Sequence, residues 1–139
     1  MYMTRFPINR TRRNTFNMLA SPYKMHAAIA GSFPPGEHEG RALWRVDTCA
    51  DEAMFLYIVS STKPSLIGLD EQIGWPDKDP QWQTKDYDPF LHSIKNGGVY
   101  TFRLVANPVV NRVDITNDKG RSKRVGHLTI MQQAAWLIG

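Results

Sequence analysis

Apolar and other residues alternate from Tyr2 to Ile8, with Tyr2, Thr4, Phe6 and Ile8 on one side and Met3, Arg5 and Pro7 on the other. That period of two predicts a first strand, and Pro7 suits the end of a strand better than its middle. Thr11 to Leu19 predicts a short helix with Arg12 and Arg13 in its first turn, where cations oppose the helix dipole. Ser21 is a good N-cap and Pro22 fits the first helical position, so a second helix runs through Ala27, Ala28, Ile29 and Ala30. It should stop near Gly31, before the Phe33-Pro34-Pro35-Gly36 turn, with Met25, Ala28 and Ile29 as its core-facing stripe. Ala42, Trp44 and Val46 alternate with Leu43, Arg45 and Asp47 in a second strand. Met54 to Val59 is apolar on both faces, as in a central strand.

Leu66, Leu69 and Ile73 have helical spacing within Pro64 to Ile73, and Gly74 to Pro89 reads as a Pro- and Asp-rich loop. A helical turn is expected around Phe90 to Ile94. Val99 to Ala106 then alternates as a fourth strand that Pro108 ends. The order β-α-β-β-α-β predicts an α+β, ferredoxin-like (RRM-like) sandwich: one antiparallel sheet with two helices on one face. Residues 1–118 form that domain in this reading.

Residues 119–139 are different in kind. Lys119-Gly120-Arg121-Ser122-Lys123-Arg124 puts four positive charges in six residues, on a loop or hairpin. Thr129-Ile130-Met131-Gln132 is a capping box, and Met131, Ala134, Ala135 and Ile138 give the following helix an apolar face. Such a helix either packs back on its own domain or opens a second domain beyond this chain. The apolar third strand favours the second option, since it asks for cover on both sheet faces. An unpartnered helix of this kind also gives a route to self-association.

The 139 residues suffice for one domain with a proper core, and 42% hydrophobic residues mark a globular chain. The longest apolar run, Ala53 to Val59, is too short to span a bilayer, so no membrane partner is expected. Arg5, Arg10, Arg12 and Arg13 interrupt any signal-peptide pattern. Cys49 is the sole cysteine, which excludes an internal disulfide, suits a reducing cytoplasm and reads as plain packing. Charge is uneven. All 13 acidic residues lie between Glu37 and Asp118; residues 1–36 carry five Lys/Arg, and residues 119–139 carry four, with no acid in either segment. The two ends suit a polyanion such as nucleic acid, unless their charges are merely solvated.

Within the first acid-free segment, Tyr23 and His26 are three residues apart and so neighbours on one helix surface. His26 lies at the edge of the apolar stripe and Tyr23 further towards solvent. An imidazole that changes charge near neutral pH, beside a hydroxyl, is equipment for proton transfer. The pair alone does not separate a catalyst from two hydrogen-bonded surface residues. His38, His92 and His127 form no ligand pattern with one another or with Cys49, so neither a metal nor another cofactor is expected.

Six segments together resemble the N-terminal part of the CasE family, the CRISPR RNA-processing endoribonucleases of type I-E Cascade complexes. They are Met1 to Arg5, Leu19 to His26, Leu43 to Val46, and Phe102 to Leu104 with Ala106 to Pro108. Gly120 through Val125 and Gln133 through Leu137 complete them, all in family order. The resemblance implies a metal-independent RNase that cuts repeat RNA at the base of a hairpin and stays bound as a Cascade subunit. It places the catalytic histidine on His26 and the tyrosine of some members on Tyr23. It also implies a second ferredoxin-like domain that this sequence lacks, so the chain is expected to be an N-terminal part.

Cleavage without metal uses the ribose 2′-OH as nucleophile, with one group taking its proton and another protonating the leaving 5′ oxygen. His26 suits either role, and the sequence does not choose. A phenol with a free pKa of about 10 is a poor base, so Tyr23 is expected to orient or donate. Lys24 is a candidate for transition-state charge, and Arg12, Arg13, Arg121, Lys123 and Arg124 for phosphate contacts. Two other classes remain open. One is a non-catalytic RNA-binding or scaffold module with exposed aromatics on adjacent central strands, where Phe6, Tyr57, Tyr100 and Phe102 could face either way. The other is a protein-interaction subunit whose basic ends are incidental.

Overall fold

In the computed structural model, the alternation over Tyr2–Ile8 becomes strand β1, with Thr4, Phe6 and Ile8 buried and Arg5 exposed. The structure describes residues 1–36, 41–102, 106–116, 120 and 122–138, with the side chains of 112–116, 122 and 123 left aside. The chain divides into two compact units, Met1–Gly98 and Val99–Gly139.

The first unit runs β1, α1 (Arg13–Leu19), α2 (Pro22–Ala30), β2 (Leu43–Thr48), β3 (Met54–Ser60), α3 (Ile67–Ile73), β4 (Gln83–Asp86) and α4 (Asp88–Ser93). Its sheet has the order β2-β3-β1-β4, and every neighbouring pair is antiparallel. This is the expected ferredoxin-like order, with two crossovers that each return through helix. The first crossover holds two short helices rather than one, so α1, α2 and α3 all pack on one face.

The core is the layer between those helices and the sheet. Phe6, Ile8, Leu56 and Ile58 meet Met18 of α1, Met25 and Ile29 of α2, and Leu66, Leu69 and Ile73 around α3. Burying side chains of this size contributes about 1.5–3 kcal/mol each. β3 is central, as its two apolar faces required: Leu56 and Ile58 enter the core, while Phe55, Tyr57 and Val59 line the opposite face, half-buried.

The fourth strand is not where the alternation of Val99–Ala106 placed it. It is Gln83–Asp86, inside the segment read as a loop, and of Val99–Ala106 the described residues are not strand. The reason is physical. β4 is a four-residue edge strand, and edge strands need no hydrophobic signature. Its one inward residue is Thr84, whose hydroxyl hydrogen-bonds that of buried Thr4 at 2.9 Å. Tyr100 and Phe102 alternate in sequence but lie exposed outside the described strands.

In the second unit β5 (Val109–Thr116) and β6 (Ser122–Gly126) form an antiparallel hairpin with an irregularity between Arg112 and Thr116. Ser122, Lys123 and Arg124 of the basic run thus lie in strand β6; Lys119 and Arg121 lie outside the described residues. α5 (Ile130–Ile138) starts on the expected capping box: Gln132 N–H donates to Thr129 Oγ1 at 3.2 Å, and Thr129 N–H donates to Gln132 Oε1 at 3.2 Å. Among the described residues no helix is long and apolar enough to cross a membrane.

Truncating Ile29 or Leu56 to Ala should cost about 2–5 kcal/mol, because each is fully enclosed in the layer. Urea unfolding followed by circular dichroism reads this directly; a loss below about 1 kcal/mol would show that the layer does not close there.

Candidate functional site

Helix α2 has its rotation set by burial. Met25 and Ile29 are each only 1% exposed against the sheet, which turns the other side of the helix outward. Ser21 caps the N-terminus by accepting from the Lys24 N–H at 3.4 Å, a long bond, and Pro22 occupies the first turn. Gly31 follows Ala30 in a right-handed conformation and closes the helix by donating to Ala27 O at 2.9 Å. Tyr23 is 82% exposed, and Lys24 and His26 are exposed beside it. The expected pair therefore stands on the surface, with His26 next to the buried stripe and Tyr23 beyond it.

The cations of residues 1–36 separate into two groups. Arg5 lies over the Phe55 ring, 5.0 Å from its centroid, and donates to Gln83 Oε1 at 3.0 Å. Arg10 bridges to Glu52, donating at 3.1 Å to both its carboxylate and its carbonyl. Half-buried Arg12 donates to the Glu71 carbonyl, tying α1 to α3. Arg13 and Lys24 make no ion pair or side-chain hydrogen bond among the described residues, and both are exposed. So of the expected RNA-contacting cations in this unit, Arg13 and Lys24 are open to an anion among the described residues, while Arg12 is partly committed to the fold.

The other expected residues belong to the second unit. Arg124 is exposed on β6 opposite Asn111. Lys123 lies in β6 opposite Arg112, its side chain outside the described set, and Arg121 is outside the described residues altogether. Cys49 is exposed, not packed: it sits in the tight β2–β3 connection, its N–H bonded to Ala53 O at 2.8 Å. His92 has a local structural partner, its Nδ1 lying 2.7 Å from the Asp88 carbonyl.

One exposed aromatic outside the expected set lies on α1, the helix that packs against α2. Phe16 of α1 is 79% exposed, while Thr15 and Met18 of the same helix are buried. Asn14 contacts Gln72 of α3 at 3.4 Å. At about 100° per residue, Phe16 lies on the flank away from that contact. Its signal in the sequence was an aromatic off the core stripe.

The sheet face away from the helices is a second candidate surface. Cross-strand register aligns Arg45, Tyr57, Arg5 and Gln83 in one row. Cavities of about 380 and 540 Å³ flank Tyr57 on either side. Phe6 faces the core instead, so the aromatics of this face, Phe55 and Tyr57, share β3 rather than sitting on adjacent strands.

The family model described as CRISPR associated protein matches residues 1–139. The chain belongs to that family. Among solved structures, a CRISPR endoribonuclease Cse3 bound to a 19-nt RNA superposes with a TM-score of 0.60 at 22% identity, over 99% of this chain and 60% of that one. Thermus thermophilus Cse3, bound to an RNA representing a pre-cleavage complex, gives a TM-score of 0.61 at 23% identity, over 98% and 61%. This CRISPR associated protein therefore spans about three fifths of the length of either and shares their fold, as its CasE-like segments implied. No curated protein matches its sequence.

Arg12→Ala should lower stability by about 1–2 kcal/mol, because a half-buried interhelical donor is removed. Arg13→Ala and Lys24→Ala should stay within about 0.5 kcal/mol of the parent. Denaturant midpoints compare the three; equal losses would contradict this division of the cations.

Proposed function

We propose that this chain supplies the proton-transfer side of a metal-independent endoribonuclease acting on CRISPR repeat RNA. The observation that carries the reading is the solvent-facing Tyr23–His26 pair beside cations with no acid to neutralise them among the described residues. In the reaction the 2′-OH attacks the adjacent phosphorus and the P–O5′ bond breaks. The products are a 2′,3′-cyclic phosphate and a free 5′-OH. His26 either takes the 2′ proton or protonates O5′, and Tyr23 orients the phosphate or donates to it. Lys24 offsets charge on the phosphorane-like transition state. Arg12, Arg13, Arg121, Lys123 and Arg124 hold backbone phosphates of the repeat hairpin, an attraction that falls steeply with salt. The CasE resemblance supports extending this reading to retention of the cut RNA within a cytoplasmic Cascade assembly. In that assembly the ferredoxin-like part of residues 1–118 is the first unit, Met1–Gly98, and the basic segment 119–139 leads towards a second domain.

A non-catalytic RNA-binding module is the second reading, and the row Arg45–Tyr57–Arg5 is the observation that favours it. Aromatic and guanidinium planes on an open sheet can stack unpaired bases. Self-association through the apolar face of α5 is a separate proposal, read out by solution mass.

Single-turnover cleavage of a labelled repeat hairpin in EDTA tests the first reading, with the uncovered part of a Cse3 relative supplied in trans. The expected product ends in a cyclic phosphate, and His26→Ala should lose about 10²–10⁴ in rate. Cutting that persists in His26→Ala removes the nuclease assignment. Tight binding without cutting, abolished by Tyr57→Ala, favours the module.

A further inference from the structure

α1 and α2 each carry one highly exposed aromatic and one exposed cation. Arg13 and Phe16 stand one helical turn apart on α1; Lys24 stands beside Tyr23 on α2, with His26 one turn on from the tyrosine. Within the first unit Phe16 and Tyr23 are the two most exposed aromatic side chains, and Arg13 and Lys24 are the two cations of residues 1–36 without a partner among the described residues. The helices pack directly on one another and are joined only through Ala20 and Ser21. Neither aromatic contributes to the core, and neither stacks on another ring among the described residues.

Resting on the nuclease reading above, we propose that Phe16 and Arg13 form a nucleotide subsite next to the Tyr23–His26 centre. The ligand is an unpaired nucleotide of the substrate strand: its base lies on the Phe16 ring, and a neighbouring phosphate meets the Arg13 guanidinium. Exposed aromatics accept any unstacked base, whereas bases inside a duplex have no free face to offer. An adjacent cation matches the phosphate that follows such a base. The α1 face is therefore selective for RNA with a single-stranded flank beside the scissile phosphate. Phe16 positions the strand and takes no part in proton transfer.

The test is a binding cycle with this chain and two labelled RNAs, a repeat hairpin with its single-stranded flank and the same hairpin cut blunt. Phe16→Ala should weaken binding of the flanked RNA by roughly 5- to 100-fold, the loss measured for one base–aromatic stack. It should leave the blunt hairpin unchanged, and Phe16→Trp should keep full affinity. Because the side chain is exposed, the variant's melting temperature should match the parent's, which separates recognition from folding. An equal penalty on both RNAs, or none on either, overturns the subsite while leaving the His26 reading standing. A parent chain that binds neither RNA overturns the subsite, and the trans-complemented cleavage assay decides the His26 reading separately.

Discussion

Burial of Met25 and Ile29 against Phe6, Leu56 and Ile58 is the constraint on which the rest depends. A nine-residue helix has little stability of its own, and its orientation is set by the stripe it buries. With those two side chains enclosed, the helix cannot rotate without drawing Tyr23, Lys24 or His26 into an apolar layer. Exposure of the candidate chemistry follows from the packing on the opposite side of the same helix. The sheet order matters for the same reason, because placing β1 and β3 centrally creates the flat apolar bed that receives the helix.

The charges follow a comparable logic. A cation near a carboxylate or a carbonyl is part of the fold; one without a partner is available to a ligand. Arg10 and Arg12 have partners contributed by the β2–β3 connection and by α3, segments distant in sequence. Arg13 and Lys24 project from helices whose neighbouring residues include no acid. An acid-free stretch of sequence thus overstates the free positive surface, since tertiary contacts bring acids and carbonyls back to some of it.

Both sheet faces carry side chains with work to do. The inner face is covered by aliphatic and methionine side chains from three helices, and the outer face shows Phe55 and Tyr57, with Tyr57 in register between two arginines. Arg45 on that face is bound to Asp47 at 2.7–2.8 Å and Arg5 lies on Phe55, so its charge is largely answered within the face. The helical side, by contrast, holds uncommitted cations beside exposed aromatics, which is why an anionic partner suits it better.

Strong periodicity was legible. β1, β2, β3, α2, α3 and the capping box of α5 all stand where apolar spacing and cap residues placed them, because burial of one face imposes that spacing on the sequence. The position of Tyr23 and His26 on one outward surface was legible for the same reason. Edge strand β4 was not, since only Thr84 of Gln83–Asp86 is even half-buried, which leaves no alternating signal, while Tyr100 and Phe102 alternate but lie exposed outside the described strands. The sequence by itself determined which residues could bury together and which segment was free of acids. Only the tertiary structure decided which arginines were left over, that Phe6 turns inward and Tyr57 outward, and that Phe16 is left exposed on a helix packed against α2. Those outcomes depend on contacts between segments far apart in the chain, which local pattern does not encode.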